Sequence, residues 1–212
     1  MLNDIKQPRL VKTLLIIFIV EWLVLAINPY YRSDWLLENV LVVIYFPVII
    51  ALRKRVTFSN LSYLLMFIFL FLHIIGAHYT YAEVPYDKWF KAITGNTLNG
   101  LIGFERNHFD RLVHLLYGVL LYIPFREIAV QRARLTGFWS YFLPYTFIVS
   151  STVLYEQIEW AAAEIFGGEL GMAYLGTQGD VWDGHKDMGL ASIGALLTLW
   201  WCVRKDKKAT SQ

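Results

Sequence analysis

The sequence is poor in cysteine and in charge, and both shortages exclude classes of protein. Cys202 is the only cysteine among 212 residues, so the chain can form neither an internal disulfide nor a cysteine-rich metal site. Charged residues make up 17% of the chain, against about 25% in a typical soluble domain. The formal net charge of +2 is too small to indicate a nucleic-acid partner. Hydrophobic residues make up 57%, more than one small core can bury, and lipid is the natural place for the excess.

Six apolar segments are candidates to cross a bilayer, and they define the predicted architecture. A helical span needs about 20 mostly apolar residues at a rise of about 1.5 Å each. The sequence therefore predicts an all-α membrane bundle in a single domain, residues 1–212. We expect the first span to be retained, because no small-residue cleavage pattern follows it. The predicted spans are 11–28, 36–52, 61–80, 109–126, 138–160 and 187–203.

The positions of the basic residues predict the orientation of these spans. Of the 19 lysines and arginines, thirteen fall at the N-terminus, in the tail, or in the loops after spans two and four. Because such residues favour the cytoplasmic side, both termini are predicted to be cytoplasmic. The thirteen are Lys6, Arg9, Lys12, Arg53, Lys54, Arg55, Arg126, Arg132, Arg134, Arg204, Lys205, Lys207 and Lys208; the six opposite are Arg32, Lys88, Lys91, Arg106, Arg111 and Lys186.

Two connecting segments have patterns of their own. After Pro85, apolar residues at 89, 90 and 93 fit a short helix in the outer membrane interface, or a loop with aromatic headgroup anchors. Segment 167–180 joins spans five and six and contains five glycines. Its backbone freedom fits either a lid over a site or a plain turn between antiparallel helices.

Ionisable residues on spans three to six, and just before span six, fall at one depth. Counting about 1.5 Å per residue from the cytoplasmic ends places those within the spans roughly 18–32 Å up, in the outer half of the membrane. A charge within the bilayer is costly unless it is paired or hydrated, so we expect these groups to meet in a shared polar site. They are His73, His78, Asp110, His114, Glu156, Glu159, Asp180, Asp183, His185, Lys186 and Asp187.

The spacing of these residues favours a divalent metal site. Carboxylates with imidazoles suit Zn²⁺, Mn²⁺ or Fe²⁺, and helical bundles hold such ions between facing helices. Three pairs lie three or four residues apart and therefore share a helix face: Asp110 with His114, Glu156 with Glu159, and Asp183 with Asp187. The predicted metal ligands are His78, Asp110, His114, Glu159, Asp183 and Asp187.

Each pair also has a simpler interpretation. An internal hydrogen bond at a helix end would explain the first pair, and pairing with Arg106 or Arg111 would explain the second. Capping of span six would explain the third. The same acids could also share protons in a network without metal.

Acids also occur on the first two spans. Glu21 lies about 14 Å along the helix from Lys12, near the midplane, which makes it a candidate functional group. A protonated glutamate bonded to a neighbouring helix would explain it equally. We expect Arg32, Asp34 and Glu38 to form the outer rim of spans one and two.

Four stretches carry a resemblance to a known family. They are 73–81 (HIIGAHYTY), 105–114 (ERNHFDRLVH), 155–160 (YEQIEW), and 174–183 (YLGTQGDVWD), which continues to 186–188 (KDM). In these stretches the sequence resembles the YjdF-like family of bacterial inner-membrane proteins, a family of unknown function. The resemblance covers nearly the whole chain and implies a location in the bacterial inner membrane. It implies no activity.

The residues themselves favour a membrane-embedded, metal-dependent hydrolase acting at the outer leaflet. The metal would acidify a bound water, and Glu156 could accept its proton as general base. Arg106, Arg111 and Lys186 could bind an anionic headgroup, and the depth of the site predicts a lipid or lipid-linked substrate. Two other functions fit the same residues: a cation or proton transporter or channel, and a non-catalytic binding or scaffold protein. The sequence indicates no particular protein partner.

Overall fold

The computed structural model describes residues 8–210, and every regular element in that range is a helix. Lys6, which supports the predicted cytoplasmic N-terminus, lies outside the described residues. The elements are α1 (Pro8–Leu25), α2 (Arg32–Leu52), α3 (Asn60–His78), α4 (Tyr86–Thr94), α5 (Leu98–Ile102), α6 (Phe109–Arg132), α7 (Trp139–Phe166), α8 (Gly168–Leu175) and α9 (Asp183–Thr210). The all-α prediction is confirmed.

Each of the six predicted spans coincides with a long helix, although the boundaries differ. Helices α6 and α7 continue past the predicted ends, and α9 begins before its predicted start. Arg126 and Arg132 therefore lie inside α6 rather than in the following loop. Arg126 is accommodated there because its Nη2 lies 2.7 Å from the carboxylate of Asp206 on α9. By length and apolar composition, α2, α3 and α6 are the described helices that could cross a membrane.

Helices α6 and α9 form the centre of the bundle, and small residues allow their close approach. A Cβ added to Gly118 would collide with the carbonyl oxygen of Ala191, and one added to Gly194 would collide with that of Leu115. Ala191 and Ala195 are fully buried at the same contact. Glycine and alanine are common at such contacts, because they let helix backbones approach closely where no hydrophobic effect drives association.

The remaining long helices surround this pair. Helix α3 packs on α6, α7 packs on both α6 and α9, and α1 and α2 pack on α3. Tyr122 and Ile148 are fully buried between α6 and α7, whereas Val43 on α2 is 70% exposed. Large apolar side chains cover much of the outer surface of the long helices, as expected where lipid is the solvent.

Three short helices lie in the connections. The segment after Pro85 does form a helix, α4, which ends at Gly95 in the left-handed conformation with φ of 81°. Trp89 and Ile93 on this helix are exposed, and its position in the membrane interface remains a prediction. Between α7 and α9 the chain forms α8 and then a turn over residues 176–180. The connection is therefore more ordered than a plain turn.

The close contact of α6 with α9 makes Gly118 sensitive to the smallest substitution. We expect Gly118→Ala to lower the thermal unfolding midpoint of the detergent-purified protein, because the new methyl group forces the two backbones apart. Gly189→Ala on α9 is the matched control, since a Cβ there meets nothing within 4 Å. That control should be neutral or slightly stabilising, because alanine favours helix over glycine by about 1 kcal/mol. Equal midpoints for the two variants would contradict the packing described here.

Candidate functional site

Four ionisable side chains from three helices meet between α6, α7 and α9, and we call them the central cluster: Asp110, His114, Glu156 and Asp187. Asp110 and His114 are one turn apart on α6, with His114 Nε2 3.6 Å from Asp110 Oδ1. The same nitrogen lies 3.5 Å from Oε1 of Glu156 on α7. His114 is only 8% exposed. Asp110 and His114 are thus in ion-pair contact, but the distance is too long for the internal hydrogen bond that was the simpler interpretation, and Glu156 approaches the same nitrogen.

Asp187 completes the central cluster from the second turn of α9. It is 2% exposed, and its Oδ1 is buried without a hydrogen-bond partner. One ligand atom each from Asp110, His114 and Asp187 lies within 4.8 Å of the other two. Zinc–oxygen and zinc–nitrogen bonds of about 2.0–2.2 Å place neighbouring ligands roughly 3–4 Å apart, so these three atoms would have to move closer together to hold one ion.

The first turn of α9 approaches Glu156 closely because residue 184 is glycine. A Cβ at Gly184 would lie 2.5 Å from Glu156 Oε2. The other carboxylate oxygen of Glu156, Oε1, is buried and accepts no hydrogen bond. Glu156 therefore faces the central cluster with one free oxygen, as a proton acceptor for a metal-bound water requires.

Just outside this site, two aspartates and three basic residues form what we call the outer ion-pair cluster: Arg106, Arg111, Asp180, Asp183 and Lys186. Asp183 Oδ1 lies 2.9 Å from Arg106 and 3.0 Å from Arg111. Asp180 pairs with Arg111 and lies 2.6 Å from Lys186. The three predicted headgroup-binding residues are thus all paired with these two acids. The predicted ligand Asp183 contacts arginines rather than the converging atoms of Asp110, His114 and Asp187.

Charge in the outer ion-pair cluster shifts the pKa of its member Asp180 and of the neighbouring His108. Lys186, the backbone N–H of Trp182 and Arg111 hold the pKa of Asp180 well below the usual range. The carboxylate therefore stays charged at neutral pH, and its stabilising contribution is lost only as strong acid protonates it. Partial burial, together with the charges of Arg111 and Arg106, lowers the pKa of His108.

Hydrogen bonds join the turn that precedes α9 to the residues just before α6. Arg106 Nη1 donates to the carbonyl of Thr177 over 2.8 Å. Asn107 and Gln178 exchange two further hydrogen bonds of 3.1 Å each between backbone and side chain. These contacts join residues 71 positions apart in sequence and hold the glycine-rich segment beside the start of α6, where Gly176 and Asp110 line the same small cavity.

A second group of acids lines a small cavity beside the central cluster. Asp34 and Glu38 from α2 meet Asp110 and Glu159 around a space of about 10 Å³, roughly the room needed by one water molecule. Asp34 is 1% exposed and has one buried oxygen without a hydrogen-bond partner. Asp34 and Glu38 therefore belong to the interior, not to the outer rim that the sequence predicted. Glu159, a predicted metal ligand, lines this cavity and is not one of the three residues whose ligand atoms converge.

The structure separates the two histidines of α3. His73 is buried, with Nδ1 2.5 Å from the Tyr81 hydroxyl and Nε2 3.2 Å from the carbonyl of Glu38. His78 instead has Nδ1 2.8 Å from the carbonyl of Leu25 at the end of α1. The predicted ligand His78 is thus not brought to the central cluster, because its ring contacts the end of α1 instead. Glu21 on α1 is likewise not part of the central cluster, and both of its carboxylate oxygens are buried without hydrogen bonds.

The central cluster closes one end of a long apolar groove between α2 and α7. The groove has a volume of about 450 Å³, and Asp110 and His114 are among its lining residues. Tyr155, which donates a hydrogen bond of 3.3 Å to Glu38, lies at the same end. A polar site at the end of an apolar passage suits a substrate with a polar head and a hydrocarbon chain.

Comparisons with known proteins agree with a membrane location and give no chemistry. A family described as "Predicted membrane protein (DUF2238)" matches residues 10–208. Inner membrane protein YjdF of Escherichia coli (strain K12) is 32% identical over 180 residues, which is 84% of this chain and 82% of that protein. No solved structure matches.

The outer ion-pair cluster gives a prediction about stability. Arg111→Ala would leave the 3%-exposed Asp183 with Arg106 as its one remaining ion-pair partner. We expect a loss of about 2–4 kcal/mol in unfolding free energy, measured by denaturant titration in mixed micelles. Lys186→Ala is the control, because that side chain is 49% exposed, and its effect should be clearly smaller. A larger effect for Lys186 would contradict this account of the cluster.

Proposed function

The chain belongs to the DUF2238 family of predicted membrane proteins, and from this premise we propose that it is a membrane-embedded, metal-dependent hydrolase of lipid or lipid-linked substrates. It is a multi-pass protein of the bacterial inner membrane. The observation that carries the proposal is the convergence of Asp110, His114 and Asp187, with Glu156 beside them, at the end of an apolar groove.

The proposed topology has six spans, α1, α2, α3, α6, α7 and α9, with both termini in the cytoplasm. The basic residues at the ends of these helices support this orientation. Helices α1, α7 and α9 also carry acids within their length, among them Glu21, Glu156 and Asp187. The central cluster would then lie near the outer end of the bundle, since Asp110 is the second residue of α6.

Labelling of introduced cysteines tests this topology. In a Cys202→Ser background, Asn96→Cys should react with a membrane-impermeant maleimide added to intact spheroplasts, whereas Lys54→Cys should react only after lysis. Both positions are exposed and lie in different connections, so accessibility to the reagent depends on the side of the membrane. Labelling of Lys54→Cys in intact spheroplasts would contradict the proposed orientation.

The donor set of the central cluster suits Zn²⁺, or Mn²⁺ or Fe²⁺. Catalytic zinc sites commonly use three protein ligands and leave the fourth position to water. Asp110, His114 and Asp187 would be the three ligands, and the ion would offset the charge of two buried carboxylates. A metal ion in such a site lowers the pKa of bound water towards neutrality, which supplies a nucleophile for hydrolysis.

Glu156 is the proposed general base. Its Oε1 accepts no hydrogen bond and lies 3.5 Å from Nε2 of His114, one of the proposed metal ligands. This oxygen therefore borders the space that a metal-bound water would occupy. Arg106 and Arg111 lie at the outer side of the site and already bind carboxylates in the ion-pair cluster. An anionic headgroup could compete with Asp180 and Asp183 for these arginines, because guanidinium binds phosphate and carboxylate oxygens in the same geometry.

Cation or proton transport is a second candidate function, and Glu21 is the observation that favours it. Both of its carboxylate oxygens are buried without hydrogen-bond partners on α1, near the predicted midplane. Intramembrane acids commonly mark ion or proton paths. If the protein carries protons through this group, Glu21→Gln should abolish proton flux in proteoliposomes. Flux that survives this substitution would exclude a path through Glu21.

Elemental analysis tests the metal site directly. We expect the purified wild type to contain about one transition-metal ion per chain, and Asp110→Asn, His114→Ala and Asp187→Asn to lose it, because each removes one of three ligands. His78→Ala is the matched control, since His78 bonds to Leu25 at the end of α1. It should retain the metal.

The outcomes of this measurement separate the candidate functions. Metal lost from the three ligand variants but retained by His78→Ala would support the hydrolase. Glu156→Gln should then retain the metal while losing hydrolysis of the substrate. A folded wild type that takes up no metal even when titrated with Zn²⁺, Mn²⁺ or Fe²⁺ would sink the hydrolase and favour transport or a scaffold role.

A further inference from the structure

The apolar groove opens sideways, towards the surrounding lipid. Its edges are exposed apolar side chains, with Ile44 and Val48 on α2 and Phe147 and Leu154 on α7 each between 47% and 58% exposed. Its floor is formed by buried residues of α3 and α6, including Met66 and Leu121. An occupant can therefore enter between α2 and α7 from within the bilayer without passing through water.

The groove extends through most of the membrane. It begins at Asp110 and His114 and reaches Leu52, Phe58 and Ile128 near the predicted cytoplasmic ends of the helices. From Asp110 to Ile128, α6 rises about 27 Å, which is close to the hydrocarbon thickness of about 30 Å. One leaflet contributes roughly half of that thickness, so the acyl chains of an ordinary phospholipid end near the middle of the groove.

Between its two ends the groove has few polar groups that could bind water; one is the hydroxyl of Thr152, which is buried without a hydrogen-bond partner. Tyr117 and Ser151 are polar lining residues, but their hydroxyls bond to each other over 2.6 Å, and Ser151 also donates to the carbonyl of Phe147. The other lining residues in this stretch are mostly aliphatic or aromatic. A cavity with so few free polar partners favours hydrocarbon over ordered water.

We propose that this groove binds the hydrocarbon chain of a polyprenyl phosphate lipid, entering between α2 and α7 with its phosphate end at the central cluster. The position of the phosphate rests on the proposed metal, because without a cation the carboxylates of Asp110 and Asp187 would repel it. The binding of the chain rests only on the shape and lining of the groove.

Length and packing favour this class of lipid over a diacyl phospholipid. Moving a chain from bilayer to groove gains no hydrophobic energy, since lipid tails are as apolar as leucine. The preference must come from dispersion contacts, which are lost wherever the groove is left unfilled. A single chain long enough to pass the midplane contacts the whole groove, whereas an outer-leaflet phospholipid fills only its outer half and a second lipid, from the inner leaflet, would be needed for the rest.

Lipid retention by rim variants tests the proposal. The protein is placed in nanodiscs of phosphatidylethanolamine doped with a long-chain polyprenyl phosphate, the uncharged polyprenol, or phosphatidylglycerol, and bound lipid is quantified by native mass spectrometry. Ile44→Trp and Leu154→Trp narrow the mouth at lipid-exposed positions. Leu23→Trp is the matched control, because Leu23 is 54% exposed on α1, away from the groove.

We expect the wild type and Leu23→Trp to retain one polyprenyl phosphate per chain, and the two rim variants to bind it about tenfold more weakly, a change of about 1.4 kcal/mol. The rim substitutions should weaken polyprenol binding to the same extent, both in the wild-type background and in His114→Ala. That result would separate binding of the chain from the metal site. Equal retention by wild type and rim variants, or phosphatidylglycerol bound as well as the polyprenyl lipid, would overturn the proposal. A wild type that binds polyprenol but takes up no metal would instead contradict the hydrolase proposal alone.

Discussion

The burial of more carboxylates than cations among α2, α6, α7 and α9 is the constraint on which the rest of the structure depends. Within residues 8–210, none of six buried or half-buried acids forms an ion pair with lysine or arginine. They are Asp34, Glu38, Asp110, Glu156, Glu159 and Asp187. Unpaired charge of this density is costly in a membrane, so the acids need cations, shared protons or water. A metal ion at Asp110, His114 and Asp187 would meet part of that need.

The fold keeps this acidic interior separate from the neighbouring positive charge. Arg106, Arg111 and Lys186 could neutralise the acids, but Asp180 and Asp183 bind them at the outer surface. The hydrogen bond from Arg106 to Thr177 also joins the glycine-rich segment to the residues that precede α6. The outer ion-pair cluster thus uses the nearby basic side chains and leaves the carboxylates of the central cluster without a lysine or arginine partner among the described residues.

Much of the fold could be predicted from the sequence, because apolar runs and basic residues are local signals. All six predicted spans coincide with long helices, and the helix expected after Pro85 is present. Helix ends were less predictable: α6 and α9 extend further because Arg126 and Asp206 stabilise each other across the bundle. That ion pair joins residues 80 positions apart, so it cannot be predicted from local composition.

The site was predictable in part. The pairs Asp110/His114 and Asp183/Asp187 were visible from their spacing, but which member faces which neighbour depends on how α6 and α9 pack. Asp187 reaches the central cluster, whereas Asp183 binds arginines. Asp34 and Glu38 resemble rim residues in sequence because they stand at the start of α2. They are buried because Asp110 and Glu159 on other helices enclose the same cavity.

Hydropathy and helical rise act along the chain, so the class of protein and the number of long helices could be predicted from the sequence. Tertiary structure alone decided which acids meet, that His78 turns to α1 while His114 joins Glu156, and that α2 and α7 leave a groove between them. The physical reason is that rotation of a helix about its axis, and its choice of neighbour, are set by close contacts such as Gly118 against Ala191. Such contacts depend on shape complementarity between distant residues, which no local pattern encodes.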